Sequence, residues 1–338
     1  MTHVTQFFRR RFPGAFSMEG VYGEVRRMLP ADVQVDVWEC RHGSKGLFGR
    51  LGDILGASRA QNEVNHVTGD VHYITYLMKK KKTILTIHDC VPIDRSSGVR
   101  RFLLWLFWYW LPEKCSGTIV VISEATKRQF LTHVRCDPKK IVVLHNPVSQ
   151  AFVPSPKALF PECPALLIVG TAEHKNIPRM VEAARGMSVR WVVVGCLSQT
   201  QRESLEQSGA YYVTLMNLGQ AELVEQYVNS DIVMYASTYE GFGLPIVEAQ
   251  AVGRPVLTSN VWSMPEVAGE GACIVDPFDV SSIRAGLRRL IEDHEYRGRL
   301  VEAGFANVER FRAQNVASQY ADLYRRIARG STAGAPVA

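Results

Sequence analysis

The chain has 338 residues, 46% of them apolar and 21% charged, the balance of a soluble globular protein with room for about two domains. A net charge of +6, without a basic stripe interleaved with aromatics, suits anionic small molecules or an anionic membrane surface and is too weak for nucleic-acid recognition. Seven cysteines, at 40, 90, 115, 136, 163, 196 and 273, include no Cys-x-x-Cys pair, which argues against a disulfide framework or a zinc cluster and fits a reducing cytosol.

The opening residues lack the basic region and apolar stretch of a secretory signal, so a cytoplasmic location is expected. Short apolar runs then alternate with helical patterns, the mark of an α/β protein whose parallel sheets are covered on both faces. One set of strands is predicted at 3–8, 33–38, 64–67, 83–87, 118–122 and 141–144. A second set is predicted at 166–169, 191–194, 211–214, 232–235, 255–258 and 272–275. Between them, Asn146 to Pro164 holds five prolines and reads as a linker. Two doubly wound domains follow, residues 1–150 and 164–311, with ligands expected where strand carboxyl ends face a common cleft. Residues Gly330 to Ala338 are rich in small residues and expected to fray.

In the first domain, Arg9, Arg10 and Arg11 follow the first strand. They read either as an anion-binding loop or as a solvated one. A helix is predicted from Met18 to Leu29 with Ser17 as its N-cap. His66, Asp70 and His72 sit on a strand end and loop, a spacing that favours lining or capping roles over a metal site. Lys79 to Lys82 reads as a solvated turn. The buried strand at 83–87 delivers His88 and Asp89 to its carboxyl end. Phe102 to Leu111 is the longest apolar run. At ten residues it is too short to cross a bilayer, which takes about 20. It reads as a core helix, or as an interfacial helix whose flanking Arg95, Arg100, Arg101 and Lys114 meet lipid headgroups. Ser123 reads as the cap of the next helix.

In the second domain, Gly170-Thr171-Ala-Glu-His-Lys175-Asn176 follows the first strand. Further on, the run Ile232–Tyr235 leads into Ser237-Thr-Tyr-Glu240-Gly241-Phe242-Gly243-Leu244-Pro-Ile-Val-Glu248. Gly241 and Gly243 permit a tight turn and a close backbone approach. Pro245 suits the first turn of a helix. The result is strand, glycine loop, helix start, which is an anion site with a carboxylate on either side.

This signature resembles the Glu-x7-Glu motif of retaining glycosyltransferases of family 4, bacterial mannosyltransferases among them. Ala251 to Val256 and Met264 to Gly269 are similar to that family's usual continuation. The resemblance implies the GT-B architecture, two Rossmann-like domains with a last helix, here 312–330, crossing back to the first. It implies a nucleotide-sugar donor in residues 164–311, held by Gly170, Thr171, Lys175, Asn176, Glu240, Gly241, Phe242, Gly243, Leu244 and Glu248. Glu240 would take donor-sugar hydroxyls, Glu248 the ribose hydroxyls, and Lys175 the diphosphate. Val194-Gly195 and Met216 to Gln220 sit where the family binds the base. His88 would lie at the transferred sugar and, with Lys175 and Glu240, form the catalytic set. Arg9, Arg10, Arg11, Gly14 and Asp89 would face the acceptor. Two departures stand out. The family's Arg after the first glycine is Thr171 here, and its Gly-Gly pair after the first strand is reduced to Gly14.

No Asp-x-Asp occurs in the sequence. Transfer of a sugar from a GDP- or UDP-sugar is therefore expected without an obligatory metal or other cofactor, mannose being the leading choice. The acceptor implied is a glycan or lipid-linked oligosaccharide of cell-surface polysaccharide or lipopolysaccharide synthesis. The enzyme would be cytoplasmic, with possible peripheral contact with the membrane's inner face and no nucleic-acid partner. A nucleotide-sugar 2-epimerase shares the architecture, and a non-catalytic sugar- or lipid-binding subunit is the alternative from another class.

Overall fold

A computed structural model describes residues 1–10, 17–42, 46–157 and 160–330. The chain divides into two compact units. One comprises Met1–Pro147 together with the chain from Ala313 onward, the other Val148–Arg312.

The first unit runs β1 (Thr2–Phe8), α1 (Ser17–Met28), β2 (Val33–Glu39), α2 (Leu47–Arg59), β3 (Val64–Val67), β4 (Thr83–Ile87), α3 (Val91–Asp94) and α4 (Gly98–Leu104). A π-helical turn over Trp105–Trp110 leads into α5 (Leu111–Cys115), β5 (Thr118–Val121), α6 (Glu124–His133) and β6 (Ile141–Val143). The six strands form one parallel sheet ordered β2-β1-β3-β4-β5-β6. Its central strands are buried on both faces, which is why β4 and β5 read as unbroken apolar or β-branched runs, while β3 carries the buried polar Asn65 and His66 between two valines. Chain direction across the sheet reverses between β1 and β3, so ligands of this unit belong beyond those strand ends. Ser17 is the first helical residue of α1, one position inside the predicted cap; Arg11, Gly14 and the predicted frayed end beyond Gly330 lie outside the described residues.

The second unit runs β7 (Ala165–Val169), α7 (Ile177–Ala183), β8 (Arg190–Val194), α8 (Gln199–Ser208), β9 (Tyr212–Leu215), α9 (Gln220–Asn229), β10 (Ile232–Tyr235) and α10 (Leu244–Val252). It continues through β11 (Val256–Ser259), α11 (Met264–Ala268), β12 (Cys273–Val275), α12 (Val280–Glu292) and α13 (His294–Val308). Its parallel sheet is ordered β12-β11-β10-β7-β8-β9, and its reversal falls between β7 and β10. The proline-rich stretch predicted as a linker is laid onto this unit from Val148. The Val148 amide donates to Phe311 O at 2.8 Å and the Ser155 amide to Val252 O at 3.1 Å. Phe152 is buried, and Lys157 pairs with Asp231 at 2.6 Å. Pro154 and Pro156 fix φ between these contacts, so residues 148–157 are held in place rather than a loose tether.

The last helix, α14 (Ala313–Ala328), packs on the first unit against α1. Its buried face carries Tyr320 and Tyr324. The Tyr324 hydroxyl meets His66 Nδ1 at 2.7 Å, and His66 Nε2 meets Thr86 Oγ1 at 2.8 Å. Burial pushes the His66 imidazole down to about 3, so it is neutral at physiological pH. At the helix C-terminus, Lys82 donates to Ile327 O at 3.1 Å and to Ala328 O at 2.7 Å, capping carbonyls that have no partner within the helix. Lys82 therefore has a structural role, although the lysine run reads as a solvated turn in sequence.

The 102–111 segment departs from the core-helix reading. α4 has no buried residue, and Phe102, Leu103 and Phe107 are 55%, 46% and 43% exposed. Only Tyr109 of the π-helical turn is buried. Among the described residues, no helix is long and apolar enough to cross a membrane.

Candidate donor-binding site

The loops leaving β7 and β10 meet at the reversal of the second sheet. Gly170 ends the first strand with φ +88°, and an added Cβ there would stand 3.0 Å from Lys175 Cε. The lysine side chain thus lies across a position that only glycine leaves open. Its Nζ donates to Glu240 Oε1 at 2.7 Å and to the Tyr235 hydroxyl at 3.0 Å, and sits 4.5 Å from the Tyr235 ring centroid. Both charged side chains are largely buried, at 14% and 12% exposure. His174 Nε2 lies 3.7 Å from the same carboxylate oxygen.

Asn176 holds this loop to its neighbours. It is buried in the left-handed conformation, φ +62°, and its Nδ2 donates to Ala236 O at 2.9 Å and Pro277 O at 2.7 Å. Three strand ends, those of β7, β10 and β12, are thereby tied to one amide. Arg179, a possible stand-in for the arginine the family carries, donates to Asn176 Oδ1 at 2.9 Å and lies 5.9 Å from the Phe278 ring centroid. Thr171 is also engaged. Its hydroxyl donates to Cys196 O at 2.7 Å, and its carbonyl accepts from Gln201 Nε2 at 2.8 Å. Where the family carries a cation, this chain has a tie between the β7 and β8 loops.

The signature loop has its own brace. Ser263 Oγ reaches Glu240 O at 2.9 Å and Phe242 O at 2.7 Å. Phe242 is buried edge-to-face on Phe311, with centroids 5.6 Å apart. Gly243 starts α10 with φ +109°, and an added Cβ would meet Ile246 Cδ1 at 3.1 Å and Tyr235 Cε1 at 3.3 Å. α10 thus begins at the end of β10 with its first amides and dipole directed at the loop. Gly241 and Leu244 are partly exposed on either side of that turn.

Glu248 lies just over one turn into α10. It accepts from the Tyr227 hydroxyl at 2.5 Å, and burial pushes its carboxyl up to about 7. Tyr227 belongs to α9 and stacks edge-to-face on Phe152 at 5.3 Å. Burial, reinforced by the Glu248 charge, drives its phenol well above the ordinary range. Tyr235 is raised well above that range by burial and then by Glu240. Tyr227, Tyr235 and Ser263 have no site role in the sequence reading. A strand-end position marks Tyr235, whereas Tyr227 and Ser263 come from segments whose contact with the signature has no local trace.

The remaining sequence candidates lie in the first unit. His88, at the end of β4, directs Nε2 to Thr68 O at 2.8 Å, which fixes the proton on Nε2 and leaves Nδ1 as the basic nitrogen. Asp89 Oδ1 accepts from the Val91 amide at 3.0 Å, a capping role. Arg9 pairs with Asp70 at 2.8 Å and lies 3.6 Å from Glu19, and Arg10 reaches Arg41 O at 3.5 Å. His72 Nδ1 meets Trp108 O at 2.6 Å. His66, Asp70 and His72 therefore point to three different partners and do not converge. The second-unit set, Gly170 through Asn176 with Glu240 through Glu248, is brought together; the first-unit set is a separate group.

Comparison with known proteins follows the same division. The family model for glycosyl transferases group 1 matches residues 154–306, and that for Glycosyltransferase Family 4 matches residues 64–152. O-antigen chain mannosyltransferase B of Escherichia coli is 38% identical over 99 residues, which cover 29% of this chain and 26% of that protein. The chain thus spans about a quarter of that relative's length. The capsular polysaccharide biosynthesis glycosyltransferase CapM of Staphylococcus aureus is 25% identical over 262 residues, 69% of this chain and 67% of that one. The crystal structure of Anabaena Alr3699/HepE in complex with UDP-glucose superposes with a TM-score of 0.75 at 13% identity, covering 95% of this chain and 99% of that one. The fold is GT-B, with two parallel-sheet Rossmann-like units. Two adjoining segments, 64–152 and 154–306, thus carry a likeness to the Glycosyltransferase Family 4 and glycosyl transferases group 1 models, on a GT-B fold.

Proposed function

We propose that the protein is a retaining hexosyltransferase. It moves a sugar, mannose in the first instance, from a nucleoside-diphosphate donor to a glycan or lipid-linked acceptor of cell-surface polysaccharide synthesis. The observation that carries this reading is the Lys175–Glu240 pair, 2.7 Å apart at the reversal of the second sheet and beside the start of α10. HepE, of the same fold, is seen with UDP-glucose, and the E. coli and S. aureus relatives are named for mannosyl transfer and capsule synthesis. The pair gives a donor both charges it needs. Lys175 and the α10 amides meet the diphosphate, Glu240 accepts from hydroxyls of the transferred sugar, and Glu248 accepts from the ribose hydroxyls. Gly170, Asn176, Gly241, Phe242, Gly243 and Leu244 shape the wall on which the donor lies.

In the proposed step the anomeric carbon–oxygen bond to the β-phosphate breaks as the acceptor oxygen bonds the same face of that carbon. The acceptor proton passes to the departing phosphate oxygen, and Lys175 balances the charge left there. Within the first unit, His88 is the residue assigned to the transferred sugar, and Arg9, Arg10 and Asp89 are those assigned to the acceptor. Because a lysine and a helix start meet the leaving charge, an obligatory divalent ion is not required. The test is turnover of GDP-mannose with a lipid-linked glycan acceptor in excess EDTA, followed by proton NMR of the new linkage. The same anomeric configuration in donor and product supports the reading. Inversion, or activity restored only by added metal, overturns it.

A further inference from the structure

An apolar, basic face on the first unit serves neither its core nor the donor site. α2 carries Leu47, Phe48, Leu51 and Leu55, spaced i, i+1, i+4 and i+8 along one stripe, and they are 75%, 91%, 54% and 46% exposed. The other sides of the helix are occupied. Asp53, Ile54 and Ala57 are buried, and Gly49, Gly52 and Gly56 lie so close to His42 and Trp38 that a Cβ would stand 2.9–3.2 Å from those rings or their stems. The helix is thus clamped with its apolar stripe outward. α4 and the π-helical turn add Val99, Phe102, Leu103 and Phe107 to the exposed set.

The two segments are joined. The Arg50 guanidinium of α2 lies 4.8 Å from the Trp108 ring centroid, and the Tyr76 hydroxyl donates to Phe107 O at 2.5 Å. Leu77, beside Tyr76, is 54% exposed. The charge beside this surface is of one sign. Arg95, Arg100 and Arg101 are exposed and make no ion pair among the described residues, while the neighbouring Asp94 is turned to His133 at 2.7 Å.

We infer that this face, Leu47–Leu55 of α2 with Val99–Phe107 of α4 and its continuation, docks the protein on an anionic lipid bilayer. Apolar side chains would enter the headgroup boundary while the arginines meet lipid phosphates. Indole and guanidinium groups suit that boundary, each joining an apolar body to a polar or charged head. A second copy of the chain is disfavoured as the occupant, since a two-fold contact would cover the same patch on both copies and take Arg100 and Arg101 of each out of water without supplying an anionic partner from this patch. The inference is independent of the transferase reading, because none of these residues belongs to the donor site.

The experiment is co-sedimentation of the full chain with vesicles of phosphatidylcholine alone and with vesicles containing phosphatidylglycerol. The wild type is expected to partition onto the anionic vesicles, and to do so less as salt rises. The double variant Arg100→Ser, Arg101→Ser should lose about 25-fold in partition, and Arg100→Lys, Arg101→Lys should retain it. Phe48→Ser and Phe102→Ser should each lose about tenfold. Donor titration without vesicles should be unchanged in every variant, which separates this surface from the donor site. Absence of wild-type binding to either vesicle overturns the inference. So does binding indifferent to these substitutions, or a dimer that Phe48→Ser disperses.

Discussion

At the residue scale the most informative group is Glu248. Its carboxyl is pushed to about 7 by burial, whereas in the unfolded chain it ionises in the ordinary carboxylate range. Between those two values the folded state holds a proton that the unfolded state has released, so stability falls as pH rises through that window and levels off above about 7. A buried carboxylate kept to grip a ligand is thus a cost to the empty protein. Glu248→Gln should remove the pH dependence and stabilise the ligand-free protein at pH 8 by roughly 1–2 kcal/mol. The same substitution should weaken nucleotide-sugar binding at least tenfold, because Gln keeps the shape but loses the charge-assisted bonds. Thermal melts at pH 5 and pH 8 with and without donor check both halves. A Gln variant no more stable at pH 8 than the wild type would mean that the carboxyl is not strained by its site.

Element-scale organisation centres on Asn176, where one side chain ties the ends of β10 and β12 to the loop after β7. Asn176→Ala leaves two buried carbonyls without their donor and puts a Cβ-bearing, non-Asx residue at φ +62°. A loss of about 2–4 kcal/mol is expected, read as a lower denaturation midpoint, along with weaker donor binding from a loosened Lys175 loop. The strands carrying these loops were legible in the sequence, because parallel strands buried on both faces must be continuous apolar runs. So were the helix start at Gly243-Leu-Pro and the placement of Lys175 and Glu240 at strand ends. What sequence did not disclose is the bracing. Tyr227 and Ser263 reach the signature from neighbouring elements and Phe152 backs Tyr227, and pairing across such separations leaves no periodicity. The π-helical turn was equally hidden. Trp105 to Trp110 is five aromatics and one leucine, a composition that does not distinguish α from π winding, and the wider winding comes with tertiary bonds such as Trp105 Nε1 to His133 O and Trp108 Nε1 to Asp70 O, both 2.9 Å.

On the scale of the whole molecule, each unit's sheet reverses once, and at each reversal the loops carry polar side chains that the core does not need. In the first unit these are Arg9 and Arg10 after β1, with His88 at the end of β4, two strands from β1. In the second they are Lys175, Glu240 and Glu248. The second set is complete enough to define a ligand class, since it offers a cation, a helix start and two carboxylates within one loop cluster. Departures from the family pattern do not remove a member of that set. Thr171 loses a cation but secures the loop through Cys196 O, and Lys175 becomes the principal charge available to a diphosphate. The central claim is therefore that Lys175 and its carboxylate partner hold a nucleotide-sugar diphosphate. Calorimetric titration of GDP- and UDP-sugars in EDTA, comparing the wild type with Lys175→Ala, tests it most directly. One donor should bind saturably, and the variant should bind it about 100-fold more weakly while melting within a few degrees of the wild type. A folded protein that binds no nucleotide sugar, or a Lys175→Ala variant with undiminished affinity, would contradict the account.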